Sequence, residues 1–244
     1  MIKRSPRVYA YMDHSEIDFA EGCHHFSELL RQLAPLSPYV RTDALLTSED
    51  QMKSGVGLDP LNNMDEVIQI LLENSSQDEY FDRTSKRVWA ERWKDSRAVV
   101  EINYVFNSLG SMSPNYIDCD SRRKSSDTDN FSLSHWLRII ETIINWRRPI
   151  YLWSGDEKYW HDGKGIFDPE RTIANWFCWV PQQVDPSLIP SASLVRPMLD
   201  GTLIVTSDQY FNIDDEPAIH RANDVEMEMN EAGILPHQSD LMKG

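Results

Sequence analysis

The chain is poor in cysteine, glycine and positive charge, and each shortage narrows what it can be. Its 244 residues include three cysteines, Cys23, Cys119 and Cys178. Three are too few and too scattered for a disulfide framework, and an odd number leaves one thiol unpaired in an oxidising compartment. A reducing cytoplasm is therefore the expected location. No stretch of about 18 apolar residues is available to span a bilayer. The first residues carry Lys3, Arg4 and Arg7 but no apolar core of a secretory leader, so no membrane partner is expected. The ten glycines form no phosphate-cradling loop, and there is no G-x-S-x-G elbow, Walker loop or H-E-x-x-H pair. No cofactor and no metal are expected. Against 39 Asp and Glu stand only 24 Lys and Arg, a net charge of −15, which repels a phosphate backbone and argues against direct nucleic-acid binding.

What is present is material for a core. Hydrophobic residues make up 41% of the chain and there are eight tryptophans. A chain of this length buries roughly 70–75% of its unfolded surface, which suits one domain over 1–244. The segment from Trp176 to Pro236 is its best specified part. Trp176, Phe177 and Trp179 lead through a loop punctuated by Pro186, Pro190 and Pro197 to Leu203, Ile204 and Val205, a short apolar run after Asp200-Gly201 that predicts a buried strand. A helix should follow. Asp214 and Asp215 suit its N-terminus, Pro217 its first turn, and Ala218, Ala222, Val225, Met229 and Ala232 recur with helical spacing. Gly233 supplies a left-handed stop, Ile234 its apolar contact and Pro236 a block to continuation.

Upstream, Val8 to Met12 suggests a strand, and Ser15 with Asp18 a capping box before a helix whose apolar stripe is Phe19, Cys23, Phe26, Leu30 and Leu33. Asp59-Pro60 opens a second helix with Met64, Ile68, Leu71 and Leu72 inward. The stretch 77–95 interleaves Tyr80, Phe81, Trp89 and Trp93 with Arg83, Arg87, Arg92 and Lys94, the pattern of a packed hairpin or a partner-facing surface. Residues 98–106 alternate at period two, as a strand does. The segment 111–130, with Arg122-Arg123-Lys124, is expected to be a mobile loop, and 237–244 a frayed tail. Ser132 to Arg148 predicts an amphipathic helix with Leu133, Trp136, Leu137, Ile140, Ile143 and Ile144 inward, Arg147 and Arg148 at its negative end and Pro149 as its stop. Ile150 to Trp153 gives another strand. The expected class is α+β, a single domain with a mixed β-sheet and helices packed against it.

Two constellations hint at chemistry. Cys23, His24 and His25 resemble metal ligands, but consecutive helical residues point about 100° apart and do not converge on one ion. Asp156-Glu157-Lys158 contains the D-x-K triplet of metal-dependent nucleases, which needs further carboxylates such as Asp118 or Asp120. The triplet is short enough to recur by chance in an acidic chain, and the expectation is that the protein is not an enzyme.

Asp224, Glu228 and Glu231 fall at i, i+4 and i+7, placing three carboxylates on one helix face. Such a face is either a solubilising surface or a docking surface for a basic partner, with Asp208, Asp214 and Asp215 near it in sequence and the Trp89 and Trp93 region as the other candidate.

The blocks WFCWVP, GTLIVTSDQYFN and ANDVEMEMNEAGILP, with the early HHFSELLRQLAPLSP, resemble the immunity protein 52 family of bacterial polymorphic toxin systems. The resemblance is most specific from Trp176 to Pro236. It implies a single α+β domain that binds and neutralises a cognate toxin, commonly a nuclease of restriction-endonuclease fold delivered by type VI secretion. It supplies no catalytic residues. The matched Trp176, Trp179, Gly201, Thr202 and Leu203 look like fold determinants, so the resemblance does not locate the toxin-binding surface. Physical chemistry is compatible with it, since a nuclease presents cations that an acidic inhibitor can occupy. The alternatives are a metal-dependent nuclease or hydrolase using Asp156 and Lys158, and a non-catalytic scaffold.

Overall fold

A computed structural model of the protein describes residues 6–13, 17–36, 61–75, 86–94, 97–106, 116–120, 132–167, 170–210 and 213–241. Eight strands form one sheet: β1 (Arg7–Tyr11), β2 (Lys86–Lys94), β3 (Arg97–Phe106), β4 (Tyr116–Asp120), β5 (Tyr151–Gly155), β6 (Phe177–Val180), β7 (Leu194–Met198) and β8 (Gly201–Val205). Their order across the sheet is β2-β3-β4-β1-β5-β6-β8-β7. The helices are α1 (Phe19–Leu33), α2 (Met64–Ser75), α3 (Leu133–Trp146), α4 (Glu157–His161), α5 (Glu216–Glu231) and α6 (Gln238–Leu241). The α+β class is as expected. The sheet differs in one respect: every named ladder is antiparallel, and among the described residues parallel pairing is confined to the isolated bridge between Ser154 and Asn175.

The strand register explains the layers. Val8 pairs with Ser154 and Cys119, Ala10 with Leu152 and Ile117, and the row continues through Ile102 and Tyr104 on one side and Trp179 and Leu203 on the other. This face is apolar; α3 meets it through Trp146, and α1 packs against both α2 and α3. Tyr104 meets Trp146 edge-on at 5.5 Å, and Arg147, the residue capping α3, reaches Tyr104, Asp13 and His25 of α1. The opposite face, through Trp153, Cys178 and Ile204, is covered by α5, whose Met229 sulfur is 3.8 Å from Cys178 Sγ. Strands β5, β6 and β8 are therefore buried on both faces, which is why their sequences are continuously apolar instead of alternating.

Helix ends follow their local chemistry. Asp18 caps α1 by accepting from the Ala20 amide at 2.9 Å; Ser15, the other residue of the expected box, lies outside the described residues. Ser132 caps α3 and Asp215 caps α5, with Pro217 in its first turn. The α5 C-terminus is a Schellman motif: Gly233 at φ +69, its amide bonded to Asn230 O, and the Ile234 amide bonded to Met229 O. Arg147 and Arg148 do more than complement a dipole, for Arg148 binds Pro181 O at 2.7 Å and Asp200 at 3.0 Å, tying α3 to the β6 and β8 ends.

Several expectations are corrected. Tyr116–Asp120, within the expected loop 111–130, is an interior strand between β3 and β1; the rest of that loop, including Arg122-Arg123-Lys124, lies outside the described residues. The tail 237–244 is held as far as Leu241: His237 bridges to Arg171, and α6 follows with Leu241 buried. Leu72 is 50% exposed, and Val67 takes the inward position instead. The aromatic and basic stretch forms a hairpin, β2 against β3; its Tyr80, Phe81 and Arg83 lie outside the described residues. Pro197 is tolerated because β7 is the edge strand.

Candidate functional site

The carboxylates of α5 are not equivalent. Asp224 and Glu231 are exposed, but Glu228 between them is half-buried and engaged. It accepts from the Ser191 amide at 3.0 Å and from Ser191 Oγ at 2.6 Å, fastening α5 to the turn before β7. The expected row of three free carboxylates is thus a row of two. Asp215 is committed to the Ala218 amide at 3.2 Å, while Asp208 and Asp214 are exposed in the connection from β8 to α5. Trp89 and Trp93 belong to β2 at the far edge of the sheet, with β3, β4 and β1 between it and the strands beneath α5. The two sets of partner-binding candidates therefore lie toward opposite ends of the sheet.

The D-x-K triplet has a structural use. Asp156 is 3% exposed, and its Oδ1 accepts from the Lys158 amide at 2.9 Å, capping α4. Its carbonyl accepts from Asn175 Nδ2 at 3.0 Å. The register sets Asp120 opposite Arg7 and Arg7 opposite Gly155, so Arg7 intervenes between that carboxylate and the triplet; Arg7 is itself ion-paired with Glu157. No group of three or more metal-ligating residues occurs among the described residues. His24 and His25 lie at the surface of α1 beside Asp65 and Glu21, whereas Cys23 is buried.

A buried carboxylate that the sequence pattern did not single out organises the region beside α4. Glu226 is fully buried on the inner face of α5, one helical turn from Ala222 and Met229. Its position within the apolar stripe was the available signal. Glu226 Oε1 accepts from the Ala174 amide at 2.9 Å, and Oε2 from the Ile166 amide at 3.2 Å. The Tyr159 hydroxyl lies 2.6 Å from Asn223 Oδ1 and 3.1 Å from Glu226 Oε1. A phenol carries one proton, so when Asn223 receives it the second contact is satisfied by a proton on Glu226. Burial, opposed by the amides of Ala174 and Ile166, pushes the Glu226 carboxyl up to about 7. Burial and the neighbouring Glu226 charge also raise the Tyr159 hydroxyl well above its usual range, so it acts as a hydrogen-bonding group only. The Cys178 thiol is pushed up to about 12 by burial, which makes it a poor nucleophile.

The positions behind the sequence resemblance are packing positions. Trp176 and Trp179 are fully buried, and their indole N–H groups donate to Ser207 O at 2.9 Å and Met198 O at 3.1 Å. A side chain at Gly201 would overlap the Trp179 ring and Val180 O. Thr202 Oγ1 donates to Gln182 O at 2.8 Å and accepts from the Val184 amide at 3.0 Å, pinning the loop after β6. No helix among the described residues is long and apolar enough to cross a membrane.

No protein family model matches the chain, and no curated protein matches it. Among solved structures the fold is similar to that of the Pseudomonas aeruginosa T6SS protein PA0821, with a TM-score of 0.52 and 13% identity, over 93% of this chain and 73% of that one. At that identity the likeness concerns the fold alone.

Proposed function

We propose that this chain is an immunity protein. It binds a cognate toxin, a DNase effector of restriction-endonuclease fold delivered by type VI secretion, and neutralises it by protein–protein occlusion in the cytoplasm. The observation that carries the reading is the fold shared with a T6SS protein along 93% of the chain, taken with the sequence resemblance to the immunity protein 52 family. The net charge of −15 supports it, because a DNA-cleaving partner must present a cationic groove and opposite charge speeds association with such a groove. The catalytic alternative needs Asp156 as a free metal ligand, whereas that side chain caps α4.

The carboxylates Asp208, Asp214, Asp215, Asp224, Glu228 and Glu231 on the α5 side, and Trp89 and Trp93 on β2, are the sequence-derived contact candidates, with Glu228 and Asp215 also holding backbone amides. Mixing the purified chain with the purified product of the adjacent gene tests the reading by size-exclusion chromatography. A co-eluting complex is expected, together with rescue of cells expressing that product. Separate elution and no rescue would overturn it.

A further inference from the structure

The Tyr159 hydroxyl, carried by α4, stands between two acceptors of α5, at 2.6 Å from Asn223 Oδ1 and 3.1 Å from Glu226 Oε1. Asn223 and Glu226 sit at i and i+3, so one face of the helix presents both to the same phenol. Their surroundings differ. Glu226 is fully buried, whereas Asn223 is half-buried. The segment between α4 and β6 holds the Glu226 carboxyl from two sides, with the Ala174 amide on Oε1 and the Ile166 amide on Oε2. The carboxyl is anchored, and the phenolic proton is the part of the cluster that can turn. Tyr159 of α4, Tyr151 of β5 and Cys178 of β6 are the titratable groups that face it, and burial raises all three, so they stay neutral near neutral pH. Of these four groups Glu226 alone changes charge there, its carboxyl raised by burial against the amides of Ala174, Ile166 and Asn175 and the Tyr159 hydroxyl.

We propose that Tyr159 is a proton-operated switch: with Glu226 protonated it accepts from the carboxyl and donates to Asn223, and with Glu226 ionised it donates to the carboxylate and releases the Asn223 carboxamide to solvent on α5. The short contact to Asn223 and the longer one to Glu226 are the protonated arrangement. When the carboxyl loses its proton to solvent, one proton is left among the three oxygens of Tyr159, Glu226 and Asn223. The buried carboxylate is the stronger acceptor. Leaving it short of a donor costs more than wetting a half-buried amide, so the hydroxyl turns. Asn223 is followed in the helix by the exposed Asp224. The proton state of a group sealed inside the fold thereby reaches the outer side of α5, whether or not that side meets a toxin.

Spectroscopy on the full chain tests the switch. NMR follows the Tyr159 ring carbon that bears the hydroxyl and the Asn223 side-chain amide, and infrared spectroscopy the band of the protonated Glu226 carboxyl, across about pH 5 to 9. In the parent both NMR signals are expected to move together, at the midpoint at which the carboxyl band disappears. Glu226→Gln should hold both still. Tyr159→Phe separates a switch from a field effect, because the carboxyl band should still titrate while the Asn223 amide no longer follows it. Asn223→Ala should weaken proton binding by Glu226 by about two- to tenfold, the equivalent of one hydrogen bond that only the protonated form makes. Where one of these variants does not fold, the parent and the remaining variants decide. A carboxyl band that does not titrate in this range overturns the switch, as does an Asn223 amide that stays still in the parent or moves equally in Tyr159→Phe. An unchanged midpoint in Asn223→Ala overturns it too. No partner enters the measurement, so its failure leaves the immunity reading untouched.

Discussion

Glu228 and Ser191 are joined twice, at 3.0 Å through the Ser191 amide and at 2.6 Å through its hydroxyl. This pair separates two roles within one row of carboxylates. Glu228→Ala leaves the Ser191 amide without its charged acceptor and should lower stability by about 1–3 kcal/mol in urea unfolding. Asp224→Ala and Glu231→Ala, on the solvated side, should each change it by less than about 0.5 kcal/mol.

Glu226 predicts a pH dependence. Burial pushes its carboxyl up from an ordinary 4.5 to about 7 in the fold. The folded state then holds the extra proton between those values, so the contribution is complete below the unfolded pKa and is lost as pH rises through the folded one. From pH 4.5 to 7 this stabilisation falls by up to about 3 kcal/mol. Glu226→Gln removes it. Chemical denaturation across this range should show the parent losing stability relative to the variant as pH rises; parallel curves would contradict the assignment.

Trp179 is fully buried between β5 and β8 and hydrogen-bonded to Met198 O. Trp179→Ala should cost about 3–5 kcal/mol. Val225→Asp, which puts an unpaired charge against the sheet, should leave no soluble folded protein. Thermal melting and soluble yield measure both.

Asp156→Ala removes the α4 cap and should cost about 0.5–2 kcal/mol. The double variant Asp156→Ala with Lys158→Ala should still protect cells from the toxin. Assays with magnesium, manganese or zinc should find no cleavage of DNA by the purified parent. Metal-dependent cleavage that disappears in the double variant would restore the catalytic alternative.

The sequence was most legible where a local rule decides the structure. The cap at Asp215, Pro217 in the first turn, the Gly233 stop and the Ile234 contact all depend on residues within one or two helical turns of each other, and all appear in the structure. The period-two alternation of β3 likewise places Ile102 and Tyr104 inward. Interactions closed by tertiary contact were not legible. Tyr116–Asp120 is a polar segment that becomes a strand because β3 and β1 flank it and satisfy its backbone. Glu228 looked free because its partner, Ser191, is 37 residues away in sequence. Glu226 carried a signal, its place in the apolar stripe of α5, but the amides that stabilise it come from the loop before β6. Glu91, Glu101 and Asp120, far apart in sequence, become cross-strand neighbours only with the register of β2, β3 and β4.

The most direct measurement of the central claim is plasmid cleavage by the purified product of the adjacent gene, titrated with this protein. At concentrations well above the dissociation constant, cleavage should fall linearly and stop at about one equivalent. Cleavage that continues at the uninhibited rate through about a tenfold molar excess would contradict the account.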